Sequence, residues 1–238
     1  MPNQRTTTGR SSYLASAPVL ALLPTLAVSA FVLWPLVNIF SRALSWEVIS
    51  RMASNPSIRQ VLWFSTWQAV ASTLITLVVA FPVTYVLARY QFVGKRMLLA
   101  LVTIPFVLPT VVVGAAFLAL LPYSLHRSIW AILIAHTYFN IAVVVRVVGR
   151  RWEQIPPLIN DAASTLGASP IRIFRTVTLP ILGTTIRSAA AVVFLLCFTS
   201  YGIIRVLGGP ARATLEVEIY TRAIPLGDLP GAATLSLF

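Results

Sequence analysis

Between long apolar runs, one polar stretch stands out for its residue types and their spacing, Asn160 to Pro180, NDAASTLGASPIRIFRTVTLP. Its punctuation is local and physical. Pro156-Pro157 opens the stretch, Gly167 divides it and Pro180 closes it. Glycine suits the position just past a helix end, where the backbone turns left-handed. Ser169 is a good N-cap, and Pro170 fits the first helical position, where a missing N–H costs nothing. These signals predict two short helices, about 155–166 and 170–179, joined by a tight turn. In the first, Ile155, Leu158, Ile159, Ala162, Ala163 and Leu166 recur at three- and four-residue spacing. In the second, Ile171, Phe174, Val177 and Thr178 do the same. Each helix therefore carries an apolar stripe. Such a stripe is compatible with packing on the chain's own helices and with filling a groove on a partner.

Other chemistry is sparse. Lys95 is the sole lysine and no G-x-x-x-x-G-K-[ST] loop exists, so nothing here cradles ATP in the usual way. The 6 acidic residues all lie outside the apolar runs, which leaves neither an acid/base pair nor a carboxylate proton relay at membrane depth. That argues against a proton-coupled secondary transporter and against an intramembrane enzyme. His126 and His136 have no partner at metal-ligand spacing, and the single cysteine, Cys197, excludes an internal disulfide or a thiolate cluster. His136 is expected to make a hydrogen bond between helices. No metal, cofactor or catalytic residue is expected on this chain. The net charge of +12 is scattered between apolar runs with no polybasic patch, so nucleic acid is not an expected partner.

The elements that must position the polar stretch are membrane helices. The chain is 58% hydrophobic and 10% charged, against roughly 45–50% and about 25% for soluble domains. Lipid is therefore its solvent, and the expected fold is an all-α membrane protein, a polytopic transmembrane helical bundle. Residues 1–16 read as a disordered cytoplasmic tail. Full spans are expected at about 17–40, 61–88, 97–121, 128–148 and 181–207, with 231–238 as the start of a sixth that stops short. The first run is too long for the apolar part of a cleaved signal peptide. Pro82 predicts a bend in the second span, and Pro105 and Pro109 predict that the third is enclosed by protein. The short basic loop with Arg89, Lys95 and Arg96 places the N-terminus and the hairpin in the cytoplasm. Tyr138, Asn140, Thr199 and Ser200 are polar groups within spans, read either as lining a path or as joining helices.

The polar stretch resembles the EAA loop of ABC-importer permeases, whose pattern is E-A-A, three residues, G, nine residues, I-x-L-P. This chain has Asp161-Ala162-Ala163, then Gly167, then Val177-Thr178-Leu179-Pro180 at that spacing. Asp161 stands where Glu is usual and Val177 where Ile is usual, and both keep the chemical class. Residues 64–90 resemble the second span of the same family, and 133–148 and 194–220 resemble the span before the loop and the following span and loop in its thiamine and ferric-iron group, whose members commonly fuse two halves in one polypeptide. The resemblance implies a type I importer permease fold, with this chain as the first half. It also implies docking on a pair of separate ATPase subunits through Asp161, Ala162, Ala163, Gly167, Ser169, Arg172 and Pro180. A periplasmic or lipid-anchored binding protein would deliver the substrate, the partner subunits would use the ATP, and the location would be a bacterial inner membrane. Two further readings stand beside this one: an ATP-independent transporter or channel, and a shortened half-permease that transports nothing.

Overall fold

The computed structural model describes residues 12–43, 46–209 and 211–237, and every regular element among them is helical. Among the described residues four helices are long and apolar enough to cross a membrane, or five if one bent pair counts as a single span. Contacts divide the chain into two units, residues 55–221 and residues 1–54 with 222–238.

The second of these units holds α1 (Ser12–Ala43), α2 (Trp46–Ser54) and α12 (Leu229–Leu235). Residues 1–11 of the expected tail lie outside the described residues, and Ser12 onward is helical. The Ala21–Ser41 stretch of α1 buries none of its side chains, as a lipid-facing helix would. In the expected sixth span, α12 starts on the Asp228 carboxylate, which accepts from the Gly231 N–H at 2.9 Å, and it packs on α1 and α2.

Residues 55–221 form the bundle. Its first span, α3 (Pro56–Arg89), begins earlier than hydropathy alone predicts. Asn55 is the reason: its side chain accepts from the Ser57 N–H, and Pro56 takes the first helical position. The helix is turned inside out relative to a soluble one. Ser65, Gln68, Ser72, Thr76 and Thr84 are buried together with Ala69 and Ala80, while Trp63, Leu74 and Val78 face outward. Lipid rewards no burial of apolar side chains, so small and polar residues take the helix contacts.

The central helix is α6 (Ile129–Glu153), which touches α3, α4 (Lys95–Val107), α5 (Thr110–Leu120), α9 (Leu179–Phe198) and α10 (Gly202–Leu207). Toward the hairpin its Val144, Val148 and Trp152 pack with Leu182, Ala189 and Val193. Toward the other end Ile132 and Ala135 pack with Val113, Ile203 and Leu207.

Three expectations are corrected. The third span is two helices, α4 and α5, bent by 110°. Pro109 has no N–H to continue the ladder and holds Leu108 extended at φ −74° and ψ 146°. The chain's own helices do not enclose this span, since only Pro105, Val113 and Gly114 are buried along it. The freed backbone groups are satisfied locally, by Leu108 N–H to Pro105 and Val113 N–H to Pro109.

The fifth span does not reach Leu207 as one helix. It ends at Phe198, and α10 restarts at Gly202 after a break with no proline in it.

Pro180 does not close the hairpin. The helix is continuous from Pro170 to Phe198. A π turn at Phe174–Thr178 precedes the proline, with the Leu179 N–H reaching back to the Phe174 carbonyl. The wider turn accommodates the missing N–H of Pro180 without ending the helix.

Candidate functional site

The hairpin's first arm is α7 (Pro157–Thr165). It ends in a Schellman motif: the Gly167 N–H donates to Ser164 at 2.9 Å and the Ala168 N–H to Ala163 at 3.2 Å. Gly167 supplies the left-handed backbone this needs, with φ +78°. The second arm, α8 (Pro170–Ile173), starts where Ser169 accepts from the Arg172 N–H at 3.4 Å. It runs through the π turn into α9, so hairpin and span share one helix.

The base of the hairpin is tied down. The Arg89 guanidinium donates to the Ile155 carbonyl at 3.2 Å, and Lys95 lies 4.0 Å from Glu153. Phe81 and Tyr85 of α3, Trp152 of α6 and Phe174 of the π turn form an aromatic cluster, with Phe81–Trp152 centroids at 5.0 Å and Tyr85–Trp152 at 5.4 Å. A hollow of about 230 Å³ lies beside it, lined in part by Arg89, Asn160, Ser164 and Thr178.

The apolar stripes divide between the two alternatives left open by their periodicity. Ile155 and Thr178 are buried against the chain's own helices, and Ile173 rather than Ile171 is the inward residue of α8. The other side is open. No residue of α7 is buried, and Leu158, Leu166 and Ile171 are 76%, 88% and 72% exposed. Asp161, Ala162, Gly167, Ser169, Arg172 and Pro180 are exposed, and Ala163 is half-buried. Among the described residues neither the Asp161 carboxylate nor the Arg172 guanidinium has an ion pair. A small-residue, singly acidic surface with apolar side chains around it can seat in a complementary groove.

The four in-span candidates do not converge. Tyr138 is 46% exposed, with its ring against Phe117, and Thr199 is exposed with its hydroxyl bonded to the Leu195 carbonyl. Asn140 and Ser200 are buried and belong to a polar seam between α3, α6 and the end of α9. There Asn140 donates to the His136 carbonyl at 2.9 Å and lies 3.4 Å from the Cys197 sulfur. The His136 ring lies between the Ser72 hydroxyl, 3.1 Å from Nδ1, and the Ser200 hydroxyl, 2.9 Å from Nε2. Gln68 donates to the Cys197 carbonyl at 2.9 Å. Ser65, Gln68, Ser72 and Thr76, none of them among the expected site residues, are buried along α3, and their three- and four-residue spacing is the sequence signal of an inward polar face.

Residues 80–238 match the family model described as binding-protein-dependent transport system inner membrane component. A thiamine transport system permease protein, ThiP, of Salmonella typhimurium is 32% identical over 237 residues, covering 91% of this chain and 42% of the relative. Its counterpart in Brucella abortus is 32% identical over 179 residues, covering 68% of this chain and 33% of the relative. The chain thus spans less than half the length of these relatives. A molybdate/tungstate transport system permease protein, WtpB, of Pyrococcus abyssi is 29% identical, covering 67% of this chain and 65% of that protein. Among solved structures, a bacterial ABC transporter that imports the polysaccharide alginate superposes with a TM-score of 0.77 at 13% identity, over 94% of this chain and 90% of that one. The same kind of transporter bound to an alginate-loaded periplasmic protein gives 0.75 at 14% identity. At those identities the likeness is one of fold. With the family match over most of its length, the chain belongs to the inner-membrane components of binding-protein-dependent ABC importers, multi-pass permeases whose ATP hydrolysis resides on a separate subunit.

Proposed function

We propose that this chain forms one half of the membrane path of an ATP-driven importer of thiamine and is coupled to an ATPase pair by its 155–180 hairpin. The observation that carries the coupling is the open face of α7. Asp161 and Ala162 are exposed there beside Leu158 and Leu166, while the base of the same hairpin is packed on α3 and α6. In this reading Asp161, Ala162, Ala163 and Gly167 seat on the ATPase, and Arg172 meets its acidic residues. The state of the bound nucleotide then biases a two-state bundle through the hairpin and the helix it continues into. ATP is the partner's cofactor. A periplasmic or lipid-anchored binding protein presents the substrate on the opposite side, and a second permease half, fused or separate, completes the path. The N-terminus and hairpin are cytoplasmic, which follows from the basic loop with Arg89, Lys95 and Arg96. Tyr138 and Thr199, exposed within their spans, are the candidates for the path. Asn140 and Ser200 act on it through the seam.

Thiamine rests on the two relatives at 32% identity. The named relatives favour it over ferric iron. The test is uptake of labelled thiamine into vesicles carrying the full-length permease, its neighbouring ATPase and its binding protein. Uptake is expected only with ATP and both partners. Uptake without ATP would overturn the importer reading, and ATP-driven uptake of molybdate in place of thiamine would overturn the substrate.

A further inference from the structure

We propose that His136 is a positioning residue that fixes the α9–α10 break and, through it, the bend in the third span. The break at Thr199–Tyr201 contains no proline, so something other than a missing N–H must hold it. Three contacts from outside the helix converge on it. Gln68 of α3 caps the Cys197 carbonyl, His136 of α6 meets the Ser200 hydroxyl, and the Thr214 hydroxyl donates to the Ser200 carbonyl at 3.2 Å. His136 stands in the middle of this set. It is 1% exposed, and its other ring nitrogen meets Ser72 of α3. A neutral imidazole offers one donor and one acceptor, and each serine hydroxyl can take the complementary role, so the ring is satisfied on both sides. At such burial bulk solvent cannot replace these bonds, and they are costly to lose.

What the break positions is Gly202, two residues after Ser200. Gly202 lies so close to the first turn of α5 that an added Cβ would come within 2.6 Å of the Val111 nitrogen and against the Thr110 hydroxyl. That turn directly follows the 110° bend at Leu108 and Pro109. A chain of fixed contacts therefore runs from α3 through His136 and Ser200 to the bent span. The arm of α4 and α5 that the bend swings has few other buried anchors. The transport consequence rests on the function proposed above, but the contact chain does not.

The chain carries its own reporter. Cys197 is its sole cysteine, is fully buried, and sits one turn before Ser200. The experiment measures the rate of N-ethylmaleimide modification at Cys197 itself, read from the mass of its peptide, in membranes carrying the full-length permease with its partners, beside thiamine uptake. His136→Leu, which keeps bulk and loses both bonds, and Ser200→Ala, which loses one, are each expected to raise the rate about tenfold. His136→Gln places an amide near the Nε2 position, keeps the Ser200 link, and is expected to label as slowly as wild type. Uptake should fall in the two fast-labelling variants and persist in the glutamine one. Wild-type labelling rates in both Leu and Ala variants would overturn the proposal. So would a glutamine variant that labels as fast as the leucine one, because bulk and not the Ser200 link would then be at work. If the wild-type assembly takes up no thiamine, the substrate reading fails while the labelling rates still decide the role of His136.

Discussion

Trp152 and Phe174 stack with 6.2 Å between ring centroids and 28° between their planes, joining the end of α6 to the π turn of the hairpin. Phe81 meets both rings, at 5.0 Å and 5.8 Å. The hairpin is therefore gripped by aromatic side chains from two spans, with the grip placed at the one turn where its second arm departs from α-helical geometry. Removing the central ring leaves the caps intact and loosens the base. Trp152→Ala is expected to cost on the order of 3 kcal/mol. Inside-out vesicles treated with trypsin provide the check, with faster cleavage at Arg172 and Arg175 expected than in wild type.

Gly167 tests the turn by itself. A Cβ there would meet nothing within 4 Å, so any penalty comes from its φ of +78° and not from crowding. Gly167→Ala is expected to cost about 1 kcal/mol, and Gly167→Asn less, because asparagine tolerates the left-handed region. Gly167→Pro also removes the N–H that bonds Ser164. Co-purification of the ATPase should follow the order Gly, Asn, Ala, Pro at equal membrane insertion. Undiminished recovery with the proline variant would refute the docking role.

The open face of α7 has its own test. Ala163→Trp adds bulk to a half-buried position and is expected to abolish ATPase association without affecting insertion. Asp161→Glu keeps the charge and is expected to preserve association, whereas Asp161→Lys inverts it and should weaken recovery at least several-fold in low salt. Equal recovery for the Glu and Lys variants would remove charge from the docking account.

A paired glycine comparison probes the bundle. Gly202→Ala must push the Val111 backbone away, and is expected to lower stability by about 1–3 kcal/mol. Gly183 of α9 has open space around it, so Gly183→Ala is expected to be neutral or stabilising by up to about 1 kcal/mol. Thermal melting of the purified permease in detergent should show a lower Tm for the first variant only.

The hairpin's caps were legible because they depend on neighbours in the chain: Ser169 and Pro170 start α8, and Gly167 ends α7, as their local chemistry requires. Pro105 and Pro109 were read as lost ladder bonds within one span, and the 110° bend stayed hidden because its angle depends on what α5 packs against. The break before Gly202 had no local marker, because its cause lies 64 residues away in His136. Pro180 misled for the opposite reason. A proline signals a helix end unless the preceding turn widens to accommodate it, and nothing in the sequence marks that π turn. The in-span polar residues were visible as types, but only their helical partners determine that Asn140 and Ser200 turn inward while Tyr138 and Thr199 turn out.

The unbroken helix from Pro170 to Phe198 also sets the amplitude of any motion it carries. Its 29 residues make a rod about 43 Å long at ~1.5 Å per residue. With one end held still, a tilt of only about 5° would carry the other sideways by about 4 Å, roughly the rise of three helical residues. With the Pro170 end held, so small a tilt would thus shift the Phe198 end by a distance comparable to the width of a side chain, with no change in the helix's own bonds.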